Sequence, residues 1–271
     1  MDFGDWITKL PLWAVFVLTL AICIGAVEAG AALAGIALRR KKEKEPDAPL
    51  GSLVGAVLGL LAFILAFTFG MTASRFDARR QLVLEEANAI GTTYLRAGLL
   101  PQTQGLEVRR LLREYADVRL NTTTGNVQEA LNKSEDIHGR LWAQAKALVQ
   151  TDMDSELRSL FIAGLNEVID LHQSRKTVGL QYRIPGTVWM AVYLLSVLSM
   201  LTVGYQVGMS GTRRLRGTPV LAAAFSLVIL MIADIDRPGE GLMRVSQQPI
   251  ADVQQMMLRD SREGYPVRPA E

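Results

Sequence analysis

The sequence predicts an all-α membrane protein with four transmembrane helices and a helical soluble region between the second and the third. The first observation behind this prediction is a set of four apolar blocks that together carry a single charged residue. About 20 apolar residues are enough for a helix to cross the hydrocarbon core, so each block is a candidate span. The second observation is a long charged region in which apolar residues recur at helical spacing. The blocks cover residues 12–38, 50–73, 187–212 and 217–233, and the charged region covers residues 74–185.

The first block, residues 12–38, is predicted to be a retained helix. A secretory signal begins with basic residues, whereas Asp2 and Asp5 precede this block with only Lys9 beside them. Its one charge is Glu28, and an ionisable side chain within a span is by default a functional hypothesis. The alternatives are a pore or proton site, a pairing with another helix, or a side chain that snorkels to the interface.

The second block places glycines and then phenylalanines at intervals of four, at Gly51, Gly55, Gly59, Phe63 and Phe67. Lipid supplies no hydrophobic drive between helices, so a row of small residues indicates close contact with a partner helix. If identical copies of this helix surrounded a common axis, the two phenylalanines would form apolar rings about 6 Å apart. Such constrictions can gate a pore by dewetting.

The second span is predicted to continue as a long helix, because no proline follows it until Pro101. Arg75, Arg79 and Arg80 form a basic cluster where the apolar block ends. One interpretation is anchoring to lipid headgroups. In a symmetric oligomer the same side chains would attract anions to the mouth of a pore.

The region 74–185 carries further apolar stripes and is predicted to fold as a helical bundle or stalk. Its two histidines, His138 and His172, are separated by 34 residues with no carboxylate at metal-ligand spacing, so we expect no metal site there. No catalytic motif occurs, which argues against an enzyme, and no cofactor is indicated. The single cysteine, Cys23, excludes an intrachain disulfide. A formal net charge of +2 argues against binding to nucleic acid.

The C-terminal part, residues 234–271, is predicted to be a tail with a short helix at about residues 250–259. Asp234, Asp236 and Arg237 follow the fourth block directly. These three residues are expected to pair locally or with the soluble helices.

Several segments resemble the bestrophins. The sequence from Phe63 to Phe67, followed by Ser74-Arg75-Phe76, is similar to the bestrophin pore helix, in which aromatic residues four apart form the neck. The sequence Asp236-Arg237-Pro238-Gly239-Glu240 looks like the Asn-Pro-Phe-Gly-acidic stretch of that family. The chain as a whole most resembles the bacterial bestrophin-like domain family of unassigned function, through Phe63, residues 85–91 and residues 244–249.

This resemblance implies a homopentameric anion channel in the bacterial plasma (inner) membrane, with Phe63 and Phe67 at the neck. The lipid bilayer, identical subunits and small anions are then the expected partners. Two departures limit what is carried over. Gly59 stands where a third bulky ring would be, and no dense acidic run follows Glu240, so calcium gating is not expected.

The orientation in the membrane has two competing predictions. The two short inter-span loops carry eight Lys/Arg, which places both loops in the cytoplasm by the positive-inside rule. The resemblance to bestrophins implies the reverse, with both termini in the cytoplasm. Two other functions also stay open: a membrane-anchored interaction or sensory module without conductance, and transport that uses Glu28 as a proton-coupled site.

Overall fold

The computed structural model describes residues 10–40, 50–122, 125–151, 153–210, 217–237 and 241–263, and these residues contain helices and no strand. A short 3-10 turn, Ala97–Leu99, joins the second helix to the third. The helices are α1 (Leu12–Arg40), α2 (Leu50–Arg96), α3 (Gln102–Leu120), α4 (Val127–Leu148), α5 (Ser155–Leu180), α6 (Gly186–Met209), α7 (Thr218–Asp236) and α8 (Gln248–Glu263).

The helical fold class predicted from the sequence is confirmed. The helices α1, α2, α6 and α7 are each long and apolar enough to cross a membrane. The second helix does not stop where the apolar block ends at Ala73 but continues to Arg96, as the lack of proline predicted. Several residues used in the sequence predictions lie outside the described residues: Asp2, Asp5 and Lys9, the loop residues 41–49 and 211–216, and Pro238, Gly239 and Glu240.

Local sequence signals explain where several helices begin. Pro101 and Pro185 each precede a helix, where the missing amide hydrogen of proline has no structural cost. Asp154 caps α5, because its side chain accepts hydrogen bonds from the backbone N–H groups of Glu156 at 2.7 Å and Leu157 at 3.3 Å.

The chain divides into two compact units. The apolar unit consists of Met1–Phe76 and Arg183–Met243, and the polar unit consists of Asp77–Tyr182 and Arg244–Glu271. Each unit therefore contains part of α2. Arg244–Glu271 belong to the polar unit, and the helix α8 in this segment is longer than the predicted residues 250–259.

Within the apolar unit, α1 packs against α6 and α7. One cluster of this unit's core contains Leu61, Leu65, Trp189 and Ile229, each at most 2% exposed. These residues come from α2, α6 and α7, so the first half of α2 is fixed on one side by the other helices.

Glycines bring α1 and α6 close together. A methyl group added at Gly30 would overlap the carbonyl oxygen of Leu201, and one added at Gly204 would overlap that of Val27. Each helix therefore presents a glycine to the backbone of the other, which is the usual means of close helix approach in membranes.

The polar unit has its own apolar core, built from the second half of α2 together with α3, α4, α5 and α8. Ile90, Leu111, Leu141 and Phe161 are fully buried in it. Polar contacts also attach α8. The Tyr94 hydroxyl donates to Asp260 at 2.9 Å, and Arg109 forms an ion pair with the same carboxylate at 3.1 Å.

Candidate functional site

The first half of α2 presents an apolar face that the rest of the apolar unit leaves uncovered. Phe63 is 66% exposed and Phe67 is 64% exposed, whereas Leu61 and Leu65 on the other side of the helix are buried. Large apolar side chains are also exposed on α1 and α7, where Trp13 is 70% and Val220 is 69% exposed, as in helices that face lipid or another subunit. Lipid or another protein surface must cover this face.

The glycines of the same row on α2 also have unoccupied space in front of them. Among the described residues, none lies within 4 Å of a methyl group added at Gly55 or Gly59, and one added at Gly51 meets only Gln206 Nε2, at 3.4 Å. The close helix contact predicted for this row is thus not made by the described part of this chain. Within the chain, that kind of contact occurs instead at Gly30 and Gly204.

The three arginines expected to form one basic cluster have different environments. Arg75 is partly buried, Arg79 is 8% exposed, and Arg80 is exposed and pairs with Asp77 at 3.5 Å. Arg79 and Arg80 are consecutive, so their side chains leave the helix about 100° apart. The three therefore do not share one open face.

Glu28 lies on the exposed side of α1, between the buried Val27 and the exposed Ala29. Among the described residues, none forms a hydrogen bond or ion pair with its carboxylate. Its role as an intramembrane acid remains a prediction.

Asp234, Asp236 and Arg237 bind backbone groups. Asp234 accepts hydrogen bonds from the N–H groups of Leu242 at 2.8 Å and Met243 at 3.1 Å. The other two reach further along the chain: Asp236 accepts from the Ile184 N–H at 3.1 Å, and Arg237 donates to the Leu10 carbonyl.

Asp236 and Arg237 thus join the end of α7 to the chain segments before α6 and α1, within the apolar unit, whereas Asp234 holds the turn that follows α7. The turn after α7 also needs a glycine. Gly241 has a φ of +116°, and a methyl group there would overlap the Asp234 carboxylate.

A second concentration of polar side chains is buried in the polar unit, around Glu86 of α2. Glu86 is fully buried and accepts hydrogen bonds from Tyr115 of α3 and Arg175 of α5. Arg119 of α3 lies with its Nε 3.3 Å from Glu86 Oε1. A buried carboxylate needs such partners, because an unpaired charge in the interior is strongly unfavourable.

His138 and His172 are part of the same cluster. His172 is 3% exposed, with its Nδ1 3.1 Å from the Tyr115 hydroxyl. His138 is 7% exposed, and its ring lies 4.8 Å from the Tyr115 ring and 4.9 Å from the His172 ring, between centroids. We refer to Glu86, Tyr115, Arg119, His138, His172 and Arg175 as the buried polar cluster.

Sequence reasoning did not find this cluster. It treated the two histidines as separate, because they are 34 positions apart in the sequence. One signal was available: Glu86 follows Val83 and precedes Ala87 and Ile90 on what is otherwise an apolar stripe. A charge on such a stripe indicates a buried partner of opposite sign.

The buried polar cluster also joins two of the segments on which the family resemblance rests, residues 85–91 and 244–249. Arg175 donates to Glu86 through one nitrogen and to Gln247 Oε1, at 3.0 Å, through another. Gly91 lies opposite Val253 and Met256 of α8, whose side chains would be 3.7 Å from an added methyl group. These segments are distant in sequence but neighbours within the polar unit.

The fold is similar to solved structures of bacterial membrane proteins. A bacterial bestrophin homologue from Klebsiella pneumoniae superimposes with a TM-score of 0.64 at 16% sequence identity, covering 94% of this chain and 100% of that chain. A leucine-to-threonine variant of the Klebsiella pneumoniae homologue gives a TM-score of 0.64 at 15% identity, covering 92% of this chain and 98% of that chain. A membrane protein with a proline-to-alanine substitution gives 0.63 at 14% identity, covering 92% and 97%.

At this low identity the similarity establishes the fold alone. None of the curated proteins matches the chain in sequence. The model of the Bestrophin-like domain, however, matches residues 13–250, which is most of the chain and includes the exposed face of α2 and the buried polar cluster. The chain therefore belongs to the Bestrophin-like domain family.

Proposed function

We propose that this protein is an oligomeric, anion-conducting channel of a bacterial inner membrane, in which copies of α2 surround the pore and Phe63 and Phe67 form its apolar neck. The observation that carries the proposal is the uncovered face of α2. Its two phenylalanines are about two-thirds exposed although the opposite side of the helix is packed.

Neighbouring copies of the chain would explain this face better than lipid alone. Gly55 and Gly59 leave open space in front of the helix backbone. Small residues are a disadvantage against lipid, where they add little contact, but they permit close approach of another helix. The phenylalanines one and two turns further on would then narrow the same axis.

The family resemblance supports the remaining parts of the proposal, namely five subunits and anions as the permeant ions. The rings formed by Phe63 and Phe67 would act as a hydrophobic constriction. Such a constriction closes a pore by excluding water, and it opens when the side chains move apart. Because no charged side chain lies between Leu50 and Ala73, water exclusion is the available means of closure along this stretch.

A flux measurement tests the proposal. The purified full-length protein, reconstituted into liposomes, should pass chloride. The double variant Phe63→Ala, Phe67→Ala should raise the resting flux, because it removes both rings from the neck. Flux would be followed with an entrapped chloride-sensitive dye over a range of pH and membrane voltage.

The matched control is Leu194→Ala on α6, which removes apolar volume from a side chain that is 58% exposed. This change should leave the flux unaltered. A wild-type protein and a double variant that are both impermeable under all conditions would overturn conduction. That result would favour the membrane-anchored interaction module.

Crosslinking tests the oligomer separately from conduction. In a Cys23→Ala background, cysteine at Gly59 should form disulfides between subunits on mild oxidation, whereas cysteine at Leu194 should not. Native mass spectrometry would count the subunits. Crosslinking at Leu194 in preference to Gly59 would contradict the arrangement of α2 around the axis.

A further inference from the structure

The proton positions in the buried polar cluster follow from its hydrogen bonds. Glu86 contacts two guanidinium groups, Arg119 and Arg175, and therefore is ionised and only accepts hydrogen bonds. The Tyr115 hydroxyl has one proton and donates it to Glu86. Its oxygen must then accept the proton on His172 Nδ1, 3.1 Å away.

This arrangement selects one tautomer of His172. A neutral imidazole with its proton on Nδ1 has a bare lone pair on Nε2. The Nε2 atoms of both His172 and His138 are buried and have no hydrogen-bond partner among the described residues. In His172 the bare Nε2 is therefore the position at which a further proton would bind.

The groups around the histidines carry an excess of positive charge. Arg119 of α3 and Arg175 of α5 both face one buried carboxylate, Glu86 of α2. The nearby Glu135 of α4 is paired with Lys176 of α5 at 2.8 Å, so this pair adds no net charge. Tyr115 of α3 is uncharged, because burial and Glu86 keep the pKa of its hydroxyl well above the usual range.

Burial and these cations oppose protonation of either imidazole. Burial is the main cause, and together with Arg119 it outweighs the attraction of Glu86 and lowers the pKa of His138 to about 4. The pKa of His172 is also lowered to about 4, by burial first and then by Arg119 and His138.

We propose that the His138–His172 pair is an acid-responsive element of the polar unit. While both imidazoles are neutral, His138 packs on Tyr115 and His172 donates to it, which holds α4 and α5 against α3. Protonation of either imidazole adds a buried cation near Arg119, and α4, the helix that carries His138, separates from the cluster. This inference does not depend on ion conduction.

The direction of the pH dependence follows from linkage. In the unfolded chain a histidine titrates near pH 6.5, and in the folded unit these two titrate near 4. Between these values the unfolded state binds more protons, so stability is complete above pH 6.5 and is lost as the pH falls towards 4. At pH 4 the folded-to-unfolded ratio should decrease by roughly a hundredfold for each histidine.

Nuclear magnetic resonance of the wild-type protein tests this directly. The chain has two histidines, so protein labelled with ¹⁵N-histidine gives two sets of imidazole signals. Both should titrate close to pH 4 in the full-length protein in nanodiscs, and His172 should be the Nδ1–H tautomer at pH 7. Titration near 6.5, or an Nε2–H tautomer at His172, would overturn the proposal.

Hydrogen exchange of α3, α4 and α5 tests the structural consequence. Protection factors, corrected for the intrinsic pH dependence of exchange, should decrease from pH 6.5 to 4 in the wild type. The double variant His138→Gln, His172→Asn lacks both imidazoles, and its protection should decrease much less over this range, because only carboxylates then titrate. Asparagine can still donate to Tyr115 from the position of Nδ1. Equal pH dependence in wild type and variant would contradict the proposal.

Discussion

Glu86 shows how much one residue contributes to the polar unit. Its carboxylate is fully buried and, among the described residues, is the only one that contacts both Arg119 and Arg175. Bringing three charged groups out of water is unfavourable, and the cost is offset only while each has its partner. Loss of the carboxylate would leave two buried cations and no compensating charge.

Replacement of this carboxylate should destabilise the polar unit strongly. For Glu86→Gln we expect a loss of about 3 kcal/mol in the free energy of unfolding, as for other buried ion pairs from which one partner is removed. The measurement is native-state hydrogen exchange of α3 peptides at pH 7.

Glu85→Gln is the matched control. Glu85 is adjacent in sequence, is only partly buried and accepts one hydrogen bond at the surface, from Gln81 at 2.8 Å. Its replacement should change stability by less than about 0.5 kcal/mol. Similar effects at both positions would show that Glu86 does not have the role assigned to it.

Among the helices, α2 is exceptional because it belongs to both units. Its first half has buried residues on one side and the open Gly55-to-Phe67 face on the other. Residues four apart advance by about 40° around a helix of 3.6 residues per turn, so this face winds around the helix as it runs along it. A partner helix must cross at an angle to follow it.

The contact between α1 and α6 gives a prediction at the scale of the helix. Gly204→Ala adds a methyl group that overlaps the carbonyl oxygen of Val27. Because backbone must move to make room, we expect a destabilisation of about 1–3 kcal/mol, typical of overpacking. Thermal unfolding of the purified protein in detergent would measure it.

Gly25→Ala on α1 is the comparison, because no described atom lies within 4 Å of a methyl group added there. Alanine favours helix over glycine by up to about 1 kcal/mol, so this variant should be neutral or slightly stabilised. A Gly204→Ala protein as stable as Gly25→Ala would contradict the close approach of the two helices.

At the scale of the whole molecule, the orientation in the membrane is the sharpest prediction. The loop charges favour an external polar unit, whereas the resemblance to bestrophins implies a cytoplasmic one. We expect the family arrangement. Single cysteines at Glu45 and Gly125, in a Cys23→Ala background, would be labelled in intact cells with a thiol reagent that does not cross the membrane.

Cysteine at Gly125 should then be protected in intact cells and become reactive after the membrane is made permeable, while cysteine at Glu45 should react from outside. The reverse pattern would mean that the basic loops set the orientation. If neither cysteine reacted with the thiol reagent in intact cells, the chain could not cross the membrane just once between the two positions.

Much of the helical architecture could be predicted from the sequence, because it depends on neighbours along the chain. The absence of charge from residues 50–73 and of proline before Pro101 correctly indicated the long α2. The helix contact predicted for the row beginning with Gly51 stays a prediction, because the described residues of this chain do not make it. Sequence reasoning could not tell that Gly30 and Gly204 make the intrachain contact, since nothing local distinguishes a glycine that meets another helix from one that does not.

The sequence by itself thus determined the helical class, the four apolar helices and the family resemblance. Only the tertiary structure decided that Glu86, Tyr115 and His172 form one cluster, although 57 residues separate the last two. It also decided that the face of Phe63 and Phe67 stays uncovered within the described chain. The physical reason is that helix formation and apolar length are set by consecutive residues. Which faces meet depends on the packing of helices that are distant in sequence.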